Sequence, residues 1–260
     1  MHPTQFNASQ NELAKSAEVL TVLNNVWRDV WQVFGTYQSW LEDSAKCNTI
    51  QQKLSYFSQS HLIDPDYIDD VIQALSRGFY LTQSAMQWQE PAAGCNATDK
   101  PNATDKARGA QWRLVMAYGG FETTIKTLLK PPVKHLTPDL IKVFTDKCDL
   151  PAYRLLTPPD QKQENLEKWL KRPSRQGKSA LADFLSLDGG DQKIIESWIV
   201  KSTPISSWVE AARLAKAVRN ATAHGALSAT KVRQWGLENT LLTLSDNLGE
   251  IVVAGLQKLL

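Results

Sequence analysis

Apolar residues in this chain recur at three- and four-residue steps almost from end to end, a period that restricts it to helices packed on helices. Alternating runs of Val, Ile, Thr and aromatics, which half-buried strands require, are nearly absent. The firmest stripe is Leu114, Tyr118, Phe121, Ile125 and Leu128, which predicts a helix over Gln111 to Lys130 with one wide apolar face. Gly119 and Gly120 lie inside it. Two adjacent glycines weaken a helix, so their presence there predicts the close approach of another backbone.

The same period marks a long first helix through Leu13, Leu20, Leu23, Val30 and Phe34, pausing at Gly35 and continuing to about Leu41. A short helix follows near Ile50 to Phe57. Asp64 as N-cap and Pro65 in the first turn open another, carrying Ile68, Val71, Leu75, Phe79 and Met86. From Pro91 to Gly109 the character changes. Cys-Asn-Ala-Thr-Asp-Lys at 95 to 100 is followed by Pro-Asn-Ala-Thr-Asp-Lys at 101 to 106, a small, polar stretch that reads as a solvated linker.

Beyond Pro131 the prolines break the chain into short helices near Pro138 to Lys147, Pro159 to Leu170, Ser179 to Leu187 and Asp191 to Val200. Ser207-Trp208-Val209-Glu210 is a capping-box pattern that starts a helix at Ser207, and Gly225 suits its left-handed end. A last helix carries Leu237, Leu241, Leu244, Leu248, Ile251 and Leu256, whose face can meet the core, a second copy, or both. The expected fold is all-α: an N-terminal helical region and linker over 1–109, then a core over 110–260 with a helical insertion at about 131–203.

With 260 residues, 42% of them hydrophobic, the chain can bury a core without metals or disulfides. Cys47, Cys95 and Cys148 are odd in number, widely spaced and in no CxxC pair, which points to a reducing compartment and a cytoplasmic location. The polar start, Met1 to Lys15, lacks the apolar segment of a signal peptide, and no run reaches bilayer length, so no membrane partner is expected. No phosphate-cradling glycine loop, HExxH, paired-Cys set or GxSxG elbow occurs. Neither a metal nor a cofactor is therefore expected.

Chemistry concentrates in Arg219-Asn220-Ala221-Thr222-Ala223-His224-Gly225. Arg presents a planar fork of donors matched to phosphate oxygens, and His is the side chain that ordinarily exchanges protons near neutrality. The formal net charge is only +2, yet between Lys201 and Gly236 six cations, Arg213 and Lys216 among them, face the single acid Glu210. That local field attracts phosphates. On a regular helix Asn220 and His224 share a face whereas Arg219 lies about 140° from His224, so a reach or a frayed end is needed to bring all three to one phosphate. The same residues also suit an ordinary C-terminal cap, in which cations offset the helix dipole. A second basic group, Lys171, Arg172 and Arg175 beside Trp169, is either an RNA-contacting surface or a plain exposed loop.

The Arg-x4-His spacing, with Asn directly after Arg and Gly directly after His, resembles the signature of the HEPN superfamily. The segment Arg113 to Leu129, with Tyr118-Gly119-Gly120-Phe121-Glu122 at its centre, is similar to the first core helix of such domains. The resemblance implies a helical bundle of HEPN type, here with additional N-terminal helices and an insertion. It implies a metal-independent endoribonuclease of toxin or defence type, in which the ribose 2'-hydroxyl attacks the phosphate at a composite site between two copies. Arg219 would bind the scissile phosphate, Asn220 would orient phosphate or imidazole, and His224 would act as general acid or base. Glu122 would orient a cation, or is simply a half-exposed residue at the edge of the stripe; Lys216 and Arg213 would add positive charge. His2, His61 and His135 read as structural or solvated, so a second imidazole must come from a second copy. Partners would be RNA, a homodimer mate and an antitoxin or regulatory protein. Ala226 stands where HEPN toxins with a nucleotidyltransferase antitoxin carry Tyr, two positions after His. The competing expectation is a non-catalytic helical adaptor binding RNA, a nucleotide or a protein.

Overall fold

The computed structural model describes residues 3–88, 103–131, 134–160, 164–172, 179–187 and 189–260, with the side chains of all but 3–14 and 164–165. Its elements are α1 (Pro3–Phe34), α2 (Tyr37–Leu41), α3 (Ser44–Ser55), α4 (Pro65–Gln87), α5 (Ala103–Leu129), α6 (Pro138–Asp146), α7 (Glu164–Leu170), α8 (Ala180–Phe184), α9 (Gly189–Ile195), α10 (Trp208–Ala223), α11 (Ala229–Gln234) and α12 (Glu238–Gln257), with a π-helical turn over Glu196–Val200. The protein is all-α. Among the described residues the only extended pairing is one antiparallel bridge between Leu156 and Ile205. No helix among them is long and apolar enough to cross a membrane.

Local chemistry explains most boundaries. α1 stops at Phe34 because Gly35 takes a left-handed φ of 70°, and the chain re-enters a helix at Tyr37. Asp64 caps α4 by accepting from the backbone N–H groups of Asp66 and Tyr67, with Pro65 in the first turn. Asp43 does the same for Ala45 and Lys46, so α3 begins at Ser44 rather than near Ile50. The linker expected up to Gly109 is shorter. Ala103 to Gly109 already belong to α5, where Asp105 sits in the first turn, Arg108 bonds it at 3.0 Å and Ala107 is fully buried. The rest of that expected linker lies outside the described residues. Of the helix expected from Pro159, Pro159 and Asp160 are not helical, 161–163 lie outside the described residues, and Glu164–Leu170 is helical. α11, capped by Ser228, has no counterpart in the periodicity.

α5 is the axis of the molecule, packed against α4 on one side and α12 on another, with α1 laid across α4 and α12. The paired glycines explain how closely α4 and α5 meet. A methyl group on Gly120 would stand 2.7 Å from the Gly78 carbonyl oxygen and 2.1 Å from Thr82 Oγ1, while one on Gly78 would stand 2.4 Å from Thr124 Oγ1. The backbone approach expected from Gly119-Gly120 is thus made at Gly120. α12 is buried nearly all round against the core, including Leu241, Leu244, Leu248 and Ile251, and each such side chain contributes roughly 1.5–3 kcal/mol. Two of its buried polar residues are bonded inside: Asn247 donates to Tyr153 Oη at 2.9 Å, and Asp246 accepts from Ser16 at 3.0 Å and from Arg113.

Candidate functional site

The site grows from α10, which starts as expected: Ser207 Oγ accepts from the Glu210 N–H at 3.2 Å. The Glu210 carboxylate reaches one residue further than a capping box requires, taking the Ser206 N–H at 2.8 Å and its hydroxyl at 3.1 Å. One face of α10, with Ala211, Ala212, Leu214, Ala215, Val218 and Ala221, is buried, and its small residues let α5 and α9 come close. The helix ends after Ala223 with His224 as C-cap. Gly225 then takes φ 72°, its N–H bonding Thr222 O, and the Leu227 N–H returns to Ala221 O, both at 2.9 Å.

Six side chains from three helices join along the free edge of α10. Arg219 Nη2 donates to Glu122 Oε2 on α5 at 3.2 Å, and Nη1 donates to its neighbour Asn220 Oδ1 at 2.9 Å. The Asn220 amide donates to Asp191 Oδ2 on α9 at 2.8 Å, and Lys216 Nζ reaches Asp191 Oδ1 at 3.1 Å. Lys126, four residues after Glu122, adds an ion pair to its other oxygen at 2.8 Å. Beneath the row, the Arg219 guanidinium lies 4.6 Å from the centre of the Tyr118 ring. Burial, and then the charge of Glu122, push the Tyr118 hydroxyl well above its ordinary range, so it serves here as a neutral platform.

Three cations against two carboxylates leave this row with one net positive charge. Its water access is intermediate: the Arg219 side chain is 29% exposed, enough for an anion to meet it, while Asp191 as a residue is only 7% exposed. Of the residues singled out by sequence, Arg219, Asn220, Glu122 and Lys216 come together. Glu122 is a half-buried residue at the edge of the stripe, and its carboxylate accepts from Arg219.

His224 is exposed at the helix end, and among the described residues no hydrogen bond or ion pair joins its ring to Arg219 or Asn220. Arg213 is half-buried two turns before Asn220 on the same face. The second basic group stays apart. Lys171, just past α7, pairs with Glu167 of that helix, Arg172 stacks 3.9 Å over Trp169, and Arg175 lies outside the described residues. His61 is structural: burial lowers its basicity, Nε2 donates to Leu128 O at 2.7 Å, and Nδ1 accepts from Tyr67 Oη at 2.9 Å. Burial likewise pushes the Cys148 thiol up to about 12.

Sequence reasoning missed Asp191, Tyr118 and Lys126. Two of these carried a signal, since Tyr118, Glu122 and Lys126 follow one another at four-residue steps on one helix face. Asp191 carried none: it comes from a Pro-punctuated segment, 29 residues from the Asn220 it binds. Compared with known proteins, the chain matches no family model, no curated protein and no solved structure.

Proposed function

We propose that this protein is a metal-independent endoribonuclease acting at a site shared by two copies, with RNA as substrate and a role of toxin or defence-effector type. The observation that carries the reading is an exposed His224 imidazole, without a hydrogen-bond or ion-pair partner among the described residues, five residues beyond a half-exposed Arg219 whose guanidinium is held by Glu122 and Asn220. Cleavage by 2'-hydroxyl attack needs a base at the hydroxyl, an acid at the leaving 5'-oxygen and positive charge on the phosphorane between them. Arg219, with Lys216 and Arg213 along the same helix, would supply the charge. His224 would move the protons. Within one copy His224 and Arg219 point about 140° apart on a regular helix, so a phosphate meets both more readily when two copies face each other. The likeness of the Arg219 to Gly225 motif to HEPN ribonucleases supports the same assignment, with an antitoxin or regulatory protein as a natural restraint.

The test is incubation of the purified chain with total RNA in EDTA, with mapping of the ends. Cleavage leaving 2',3'-cyclic phosphate and 5'-hydroxyl ends is expected, and His224→Ala is expected to lower it by about 10²–10⁴-fold. Cutting that survives in both His224→Ala and Arg219→Ala would remove the reading.

One observation favours a second reading, a non-catalytic adaptor that binds RNA, a nucleotide or a protein. Arg219 is already engaged by Asn220, Glu122 and the Tyr118 face, as a purely structural arginine would be. RNA binding without cleavage over long incubation, little changed by His224→Ala, would select it.

A further inference from the structure

We infer that Asp191, from the segment between α6 and α10, is a positioning residue of the Arg219 site, acting through the amide of Asn220. Its catalytic consequence rests on the ribonuclease reading. An ionised carboxylate only accepts hydrogen bonds, a guanidinium only donates, and a carboxamide does one at each end. Asn220 stands between the two, 2.8 Å from Asp191 Oδ2 and 2.9 Å from Arg219 Nη1. With Asp191 in place only one amide orientation satisfies both neighbours: NH2 toward the carboxylate, carbonyl oxygen toward the guanidinium. The alternation then continues without a mismatch, from Lys216 through Asp191, Asn220, Arg219 and Glu122 to Lys126.

Neutralising Lys216 is not sufficient reason for this carboxylate. The Lys216 side chain is 40% exposed and water would serve it, whereas Asp191 is 7% exposed, and burying a carboxylate is unfavourable unless its oxygens are bonded. Both oxygens are bonded, one of them to the residue beside Arg219. The segment expected to be an elaboration on the core therefore reaches the site. α9 packs on α10 and delivers Asp191 to it. Asp191 touches no reacting atom in this scheme; it removes the alternative in which the Asn220 amide turns its donors against the guanidinium.

The experiment is a mutant cycle on the full chain, with an oligoribonucleotide that the wild type cleaves in EDTA. Asp191→Asn is expected to lower kcat at least tenfold with KM changed less than threefold, and to add less than twofold in an Asn220→Ala background. An equal loss in both backgrounds, or an unchanged kcat, overturns the inference. A second readout is independent of cleavage: the Arg219 side-chain N–H resonances, assigned with Arg219→Lys, should shift in Asp191→Asn while those of buried Arg113 stay in place. If the wild type cuts no RNA yet the Arg219 signals move, the positioning role stands and the ribonuclease falls. If cleavage and signals are both untouched, the ribonuclease stands and the positioning role falls. Should Asp191→Asn fail to fold, Asn220→Asp sets two carboxylates face to face, and an unchanged kcat there is equally fatal.

Discussion

Two arginines of this protein are held by carboxylates from other helices, and they have opposite fates. Arg113 on α5 meets Asp246 of α12 and Ser16 of α1 with side chains only 4% and 1% exposed for the ion pair. Arg219 on α10 meets Glu122 of α5 with 29% and 24% left to solvent. The first pair is sealed under α1, so no substrate can approach it. The second sits over the Tyr118 ring with its outer edge in water. A fixed cation becomes a candidate for function when its partners orient it without enclosing it. Enclosure makes it a structural joint.

The largest test of that contrast is stability. Arg113→Ala leaves Asp246 as an uncompensated buried carboxylate and is expected to lose about 3–5 kcal/mol in urea unfolding. A loss below about 1 kcal/mol would mean that water reaches the pair and that the two arginines are alike. The next effect is a pH dependence confined to the sealed pair. Burial pushes the Asp246 carboxyl up to about 6 against the pull of Arg113. A folded value above the unfolded one means the native state holds an extra proton between about pH 4 and 6, so this group's contribution is present at low pH and lost as pH rises through 6. Wild type is expected to lose about 2 kcal/mol relative to Asp246→Asn between pH 4 and 7. A wild-type advantage that grows with pH would show that Arg113 keeps the carboxylate ionised throughout. The smallest expected change is at the open pair, where Arg219→Ala should cost no more than about 1 kcal/mol, from a half-exposed ion pair and a cation over a ring. A loss near that of Arg113→Ala would mark Arg219 as a second joint and weigh for the adaptor reading.

Much of the fold was legible because it depends on neighbours in the chain. The α5 stripe, the Asp64 and Ser207 caps, the break at Gly35 and the end of α10 at Gly225 all follow from residues within a few positions of one another. The start of α5 was misjudged for an instructive reason. The second copy of Asn-Ala-Thr-Asp-Lys reads as linker alone, but Ala107 and Ala110 behind it have a core to enter. At the site, the grouping of Arg219, Asn220 and Lys216 was visible because one helix carries them, and Glu122 was singled out by the Phe121-Glu122 pair within the resemblance. Arg113 lay on the buried side of that stripe, and a charge there was a sign of a hidden partner that went unread.

By itself the sequence determined an all-helical chain and a helix end bearing arginine, amide and imidazole, since hydrophobic period and capping are short-range properties. Only the tertiary structure decided that Asp191 closes on Asn220, that Glu122 rather than solvent faces Arg219, and that Arg113 and Asp246 are shut inside. These contacts join residues 29 to 133 positions apart. Which donor meets which acceptor at that range depends on how helices stack, and stacking is governed by close-packed volume, which no local pattern encodes.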